Sequence, residues 1–372
     1  MNTPLIVDYL NSDPSELFAQ AQKIKAETVG NKVYLRGLIE YSNRCTKDCY
    51  YCGIRVSNNK VCRYDVDDQS VLNAAEYAWR KGFGSIVLQS GERKSREFTL
   101  KIESLLKQIM VLTDHKIGIT LSLGEQDEDT YRRWQDAGAK RYLLRIEASN
   151  KALYEKLHPK NHDYDARLNC LKTLKNLNYQ VGTGVMIGLP FQTLEHLAED
   201  LQFFQDMDVD MVGMGPYIEH AETPLYAIKG RHCGLDPQSP YSKGIPEFPA
   251  FARTGMTVKN RLNLTLKMIA LLRIKMPSIN IAATTALQTL DPLGREKAIE
   301  IGANIIMPNL TPLNYRENYF LYDGKTVVQD SFDETIADLE IRLAQIGAEI
   351  GYNLQGDSLH FLSTRKGFYL HE

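Results

Sequence analysis

The strongest constraint on the fold is an alternation that runs the length of the chain: short β-branched runs separated by longer amphipathic stretches. Strand candidates lie at 33–41, 85–88, 117–121, 142–146, 181–187, 211–214, 279–282 and 304–307. Helical periodicity fills the gaps at 70–80, 97–112, 166–177, 194–205, 260–275 and 296–301. Eight strands with helices between them predict an α/β fold closed as a (β/α)8 TIM-type barrel. A doubly wound open sheet uses the same ingredients, and alternation alone does not separate the two. Ahead of the first strand, Asp13-Pro14-Ser15-Glu16 reads as a helix start, with a cap, a proline in the first turn and an acid three residues on. Residues 1–32 are therefore expected to form an N-terminal helical extension to a single barrel domain, 1–372.

One segment breaks the rhythm. Four of the fourteen prolines fall within 230–257, and no helical or strand period survives there. A proline-rich stretch neither propagates a helix nor fills a central strand position, so it is expected to be a surface insertion. The net charge of −2 gives no reason to expect a nucleic-acid partner. No apolar run approaches the roughly 18 residues that suggest a membrane span, and the first ten residues lack the pattern of a secretion signal. Six cysteines in such a chain point to reduced thiols and a cytoplasmic address.

The chemical signal is Cys45-Thr46-Lys47-Asp48-Cys49-Tyr50-Tyr51-Cys52, just after the first strand. Three thiolates in one loop can wrap a corner of an iron–sulfur cubane and leave one iron without a protein ligand. Structural zinc is the competing reading. It takes four ligands, commonly in paired arms, and Cys62, ten residues on, is the nearby candidate. Cys62 and Cys170 otherwise lack partners at ligand spacing.

Three cysteines at this spacing, with an aromatic residue before the last, resemble the signature of radical S-adenosylmethionine (SAM) enzymes. The resemblance is closer still to the FeFe-hydrogenase maturase family HydE, and it covers most of the chain outside the proline-rich segment. It rests on Cys49-Tyr50-Tyr51-Cys52-Gly53-Ile54-Arg55, Ile86-Val87-Leu88-Gln89-Ser90-Gly91-Glu92 and Thr120-Leu121-Ser122-Leu123-Gly124-Glu125. Further on, Arg167-Leu168-Asn169-Cys170-Leu171, Met211-Val212-Gly213-Met214-Gly215-Pro216, Ala283-Thr284-Thr285-Ala286 and Ile306-Met307-Pro308-Asn309 also match.

The resemblance implies one 4Fe–4S cluster per chain on Cys45, Cys49 and Cys52, whose remaining iron takes the amino and carboxylate groups of SAM. It implies SAM contacts from Tyr51, Gln89, Ser90, Gly91, Glu147, Arg167 and Met211. Gln89 to Gly91 end a strand, where the active sites of barrels lie. An acid suits the ammonium or ribose of SAM, and an arginine forks onto a carboxylate. The Gly182 to Gly188 stretch resembles the fifth-strand adenine contact of such barrels. Thr120, Ser122, Thr284, Thr285, Asn309 and Tyr319 are expected to line the substrate end of the barrel. Hydroxyl and amide donors there suit a small anionic or cyanide-bearing substrate.

The function implied is SAM cleavage to a 5′-deoxyadenosyl radical in assembly of the FeFe-hydrogenase active site. The substrate would be an iron–carbonyl–cyanide compound, the partners other hydrogenase maturases, and the electron donor a ferredoxin or flavodoxin. Methylornithine-synthase-like or biotin-synthase-like chemistry on the same barrel stays open, as does a non-catalytic iron–sulfur carrier. No cysteine follows Cys233, so a second cluster near the C-terminus, found in some of these maturases, has no ligands here.

Overall fold

The computed structural model describes residues 1–230, 258–325 and 332–364; most of the proline-rich segment, 231–257, lies outside the described residues. The strands are β1 (Lys32–Ser42), β2 (Ser85–Ser90), β3 (Gly118–Ser122), β4 (Ala139–Leu143), β5 (Gln180–Thr183), β6 (Met186–Ile187), β7 (Met211–Val212), β8 (Gly215–Pro216), β9 (Asn280–Ile281), β10 (Ile305–Ile306) and β11 (Glu349–Ile350). Eight of them form one parallel curled sheet in the order β10-β1-β2-β3-β4-β5-β7-β9. The amides of Asn304 and Ala283 donate to the carbonyls of Ile281 and Ile305, both at 2.9 Å. These bonds join β9 back to β10, so the ladder returns on itself as a (β/α)8 barrel. The short β11 adds to the outer end of β1, with Lys32 opposite Glu349.

Helices cover the outside because each presents an apolar stripe to the sheet. The helix Arg96–Leu112 buries Phe98, Ile102, Leu105, Leu106 and Ile109, and Ser95 caps it by accepting from the Phe98 amide at 3.1 Å. Two helices, Thr3–Asn11 and Ser15–Thr28, precede β1. The first of these has no counterpart in the sequence reading. Asn2 caps it and a proline stands in its first turn, but Ile6 and Leu10 are its only buried residues, too faint a period to see.

The sequence boundaries differ from the observed ones where the ladder is interrupted. The expected strand at 181–187 is two strands, because a Cβ on Gly184 would sit 2.0 Å from the Gly213 carbonyl oxygen. The backbones approach there too closely for a side chain. Beyond this point β6 and β8 pair by themselves at the mouth, Met186 opposite Gly215.

The opposite, N-terminal end of the barrel is plugged by residues 355–357. Arg141 Nε and Gln180 Nε2 donate to Asp357 Oδ1 at 3.0 and 2.6 Å, and Arg36 Nη2 donates to the Gly356 carbonyl at 3.2 Å. Burial works to raise the Asp357 carboxyl, but Arg141 and Gln180 keep it below the usual carboxylate range. With that end closed, the open chemistry lies at the C-terminal ends of the strands.

Candidate active site

The loop leaving β1 is held open by its own polar side chains. Arg63 Nη1 donates to the carbonyls of Asn43 and Ile54 at 2.6 and 2.7 Å, and its Nη2 to those of Arg55 and Asn58 at 2.6 and 3.2 Å. One guanidinium thus fixes four backbone groups that have no regular structure to bond to. Asp48 accepts from Ser57 N, Ser57 Oγ and Arg55 Nη1 at 3.2, 2.7 and 2.9 Å. The result is a rigid cradle for Cys45, Cys49 and Cys52.

Cys45 Sγ accepts from the amides of Lys47 and Glu92 at 3.4 and 3.3 Å. The second donor arrives because Gly91 lets the end of β2 come close; a Cβ there would meet the Arg44 carbonyl oxygen at 2.4 Å and Cys45 Cβ at 2.7 Å. Burial pushes the Cys49 thiol up to about 12, with the Cys45 charge as the next cause. Burial also carries Cys52 well above the ordinary range, followed by the charges of Cys49 and Cys45. Burial raises Cys45 too, and thiols so opposed in one space ionise together only with added positive charge. Cluster iron is such a charge, and amide donors to sulfur are the surroundings it favours. The donor set fits a cubane.

Beside the thiols lies a compact charge network drawn from the loops after β1, β2 and β3 and from the helix Tyr164–Asn176. Arg167 Nε donates to Glu125 Oε1 at 2.7 Å, and Arg167 Nη2 lies 3.8 Å from Glu92 Oε2. Lys47 Nζ bridges the same two acids, 3.0 Å from Glu125 and 3.3 Å from Glu92. Glu92 and Glu125 are buried. Burial raises the Glu125 carboxyl, but Arg167 and Lys47 outweigh it and hold it below the usual range. Glu147 lies beyond β4 rather than on it, with a left-handed φ of 66°. There its amide donates to the Gly184 carbonyl at 2.9 Å, and its carboxylate pairs with Arg145 at 3.0 Å.

The Glu147 loop is anchored by Asp200, which accepts from Ser149 N and Oγ at 2.8 and 2.6 Å. Burial raises the Asp200 carboxyl to about 7. A folded value above the unfolded one means stability is fully present below about pH 4 and is lost as pH rises toward 7. Asp200→Asn keeps the acceptor for Ser149 and removes the titration. Its melting temperature relative to the parent is expected to rise between pH 5 and pH 8 by several degrees, measured calorimetrically.

The other residues expected at the site fall into two groups. Near the thiols, Tyr51 Oη bonds His158 Nε2 at 3.0 Å, and Ser90 Oγ donates to the Gly91 carbonyl at 2.7 Å. Gln89 Nε2 donates to Tyr319 Oη at 3.1 Å, joining a residue expected to meet SAM to one expected to meet substrate. Asn309 Nδ2 donates to Glu40 Oε2 at 3.1 Å, and Thr284 Oγ1 to the Met214 carbonyl at 3.3 Å. Thr285 opens the helix Thr285–Leu290, and Ser122 ends β3, half-buried. Deeper in, Thr120 Oγ1 is buried with no hydrogen-bond partner. Met211 stands apart from the thiols: its sulfur accepts from Arg36 Nη1 at 2.6 Å, toward the plugged end.

Sequence reasoning did not assign Lys47, Glu92, Glu125, His158, His162 or the buried pair Glu40–Lys325. Glu92 and Glu125 stood inside matching stretches, and their repeated place just past a strand end was the available signal.

The Radical SAM superfamily profile matches residues 39–204, which span the end of β1, the cluster loop, the charge network and strands β2 to β5. Over 312 residues the chain is 42% identical to the [FeFe] hydrogenase maturase subunit HydE of Thermotoga maritima, covering 84% of this chain and 80% of that protein. The chain belongs to the HydE family of radical SAM enzymes. Membership implies a 4Fe–4S cluster and SAM. The chain is also 24% identical over 336 residues to 3-methylornithine synthase of Methanosarcina acetivorans, covering 90% of this chain and 85% of that one. Among solved structures, methylornithine synthase PylB superposes with a TM-score of 0.74 at 22% identity, over 95% of this chain and 94% of that one. The maturase HydG from Carboxydothermus hydrogenoformans superposes at 0.72 with 18% identity, over 95% and 76%. At those identities the fold is what the HydE-family chain shares with them. No helix among the described residues is long and apolar enough to cross a membrane.

Proposed function

We propose that the protein cleaves SAM at one 4Fe–4S cluster per chain, held by Cys45, Cys49 and Cys52, and so contributes to assembling the FeFe-hydrogenase active site. The observation that carries this is the convergence of three thiols, each raised by burial, and a fixed charge network at the open mouth of the barrel. The chemistry that cluster and SAM supply when bound is one-electron cleavage of the sulfonium to methionine and a 5′-deoxyadenosyl radical. Arg167, held by Glu125, presents its guanidinium to the SAM carboxylate. Glu147 and the Gln89 to Gly91 turn receive the ammonium and ribose, and Tyr51 packs beside the adenine. Met211 shapes the barrel wall below.

Thr120, Ser122, Thr284, Thr285, Asn309 and Tyr319 supply hydroxyl and amide donors to the substrate. Lys325, paired with Glu40 and donating to the Tyr319 carbonyl at 2.9 Å, adds a buried ion pair of no net charge to that end. A cavity of this kind suits a small anionic iron–carbonyl–cyanide compound over a hydrocarbon. The reading carries with it a cytoplasmic setting, a ferredoxin or flavodoxin as reductant and exchange with other maturases.

Complementation of a strain lacking its own HydE, with hydrogen output as readout, tests the maturase role. The parent protein is expected to restore hydrogen production. Ser122→Ala and Thr284→Val are expected to lower hydrogen output at least tenfold more than they lower SAM cleavage. A folded, cluster-loaded parent that restores nothing in the presence of the hydrogenase and its other maturases would overturn the maturase role and leave SAM cleavage standing.

A further inference from the structure

A side-chain hydrogen bond to the middle cysteine is fixed by a backbone donor. The Asp48 amide donates to His162 Nε2 at 3.1 Å. An amide can only donate, so Nε2 carries no proton, and the neutral ring holds its proton on Nδ1. That nitrogen lies 3.8 Å from Cys49 Sγ. His158, the other imidazole nearby, is engaged on both sides, by the Tyr154 carbonyl at 2.8 Å and Tyr51 Oη at 3.0 Å. Cys45 receives its donors from backbone amides, which substitution leaves in place. Cys49 receives one from a side chain.

We propose that His162 is a positioning residue for the cluster, whose Nδ1–H donates to the Cys49 thiolate and makes the cluster easier to reduce. The proposal rests on Cys49 being a cluster ligand. Donors to a ligand sulfur withdraw negative charge from it, and this stabilises the reduced cluster, which carries one more electron. The competing use of the same groups is a metal site in the cluster-free protein, since the ligand atoms of Cys49, His158 and His162 all lie within 4.8 Å of one another. The engagement of both His158 nitrogens argues against it.

The test uses full-length protein reconstituted anaerobically and titrated redox-potentiometrically with EPR detection. His162→Phe removes both bonds, His162→Asn places an amide donor where Nδ1 stood, and His162→Gln places its amide nearer Nε2. At fixed potential His162→Phe is expected to show roughly tenfold fewer reduced clusters, a shift of about 59 mV to lower potential for one electron. His162→Asn is expected to restore most of it. Unchanged potentials, or rescue by Gln and not Asn, would assign His162 to supporting the Asp48 amide and overturn the proposal. If the Phe variant fails to load, pulsed EPR of parent protein carrying ¹⁵N-histidine decides. A weak histidine coupling to the reduced cluster supports the bond, and its absence overturns it. Parent protein that yields no 4Fe–4S signal at all would instead sink the cluster assignment on which the proposal rests.

Discussion

Cys49→Ala is expected to fold and to hold no intact cubane, with SAM cleavage falling below detection. Burial and the Cys45 charge both oppose ionisation of Cys49, which stands between the other two cysteines in sequence. Its removal leaves two protein ligands on a cluster that needs at least three. Cys62→Ala and Cys170→Ala serve as controls. Cys62 is exposed, and Cys170 Sγ donates to the Gln126 carbonyl at 3.6 Å from the helix Tyr164–Asn176. Both controls are expected to keep parental iron, sulfide and cleavage. Iron and sulfide content with EPR of the reduced protein reads the result. A Cys49→Ala protein with a full cubane and intact cleavage would remove the cluster from this loop.

Arg167→Ala has the second largest effect, because two roles end together. It leaves Glu125 and Glu92 buried with Lys47 as their main partner and with Lys94 3.6 Å from Glu125. Removing one partner of a buried ion pair costs about 3–5 kcal/mol, and the remaining lysines put the expected loss near the lower figure. SAM binding is expected to fall at least tenfold. Arg167→Lys keeps the charge and loses the fork, so it is expected to recover stability more than affinity. The double variant Arg167→Ala/Glu125→Gln separates the roles: melting temperature should return toward the parent while SAM affinity stays low. Equal recovery of both in the double variant would make Arg167 a structural residue only.

The barrel was legible because its signal is periodic and long. Strands β2 and β3 fall within two residues of the expected runs, and the Arg96–Leu112 helix carries its period in five buried apolar residues. The fifth and sixth strands were misjudged in extent, because the Gly184–Gly213 approach that splits them is a contact between distant residues. The spacing put three cysteines on one loop, and the structure keeps them there as free thiols in one cradle. Glu125 and Arg167 were not legible as a pair: 42 residues separate them, and only the stacking of two βα units brings them within 2.7 Å. The same holds for Glu40 and Lys325, which lie at opposite ends of the chain and meet at one end of the barrel. His162 had no sequence signal at all, since its role depends on which amide reaches its ring.

If three cysteines at the mouth of this barrel support reductive cleavage of SAM, the full-length protein, reconstituted anaerobically and reduced, turns added SAM into defined products. Formation of 5′-deoxyadenosine and methionine in equal amounts is expected, dependent on reductant and absent in Cys49→Ala. Intact SAM after incubation with reduced, cluster-loaded protein would contradict it.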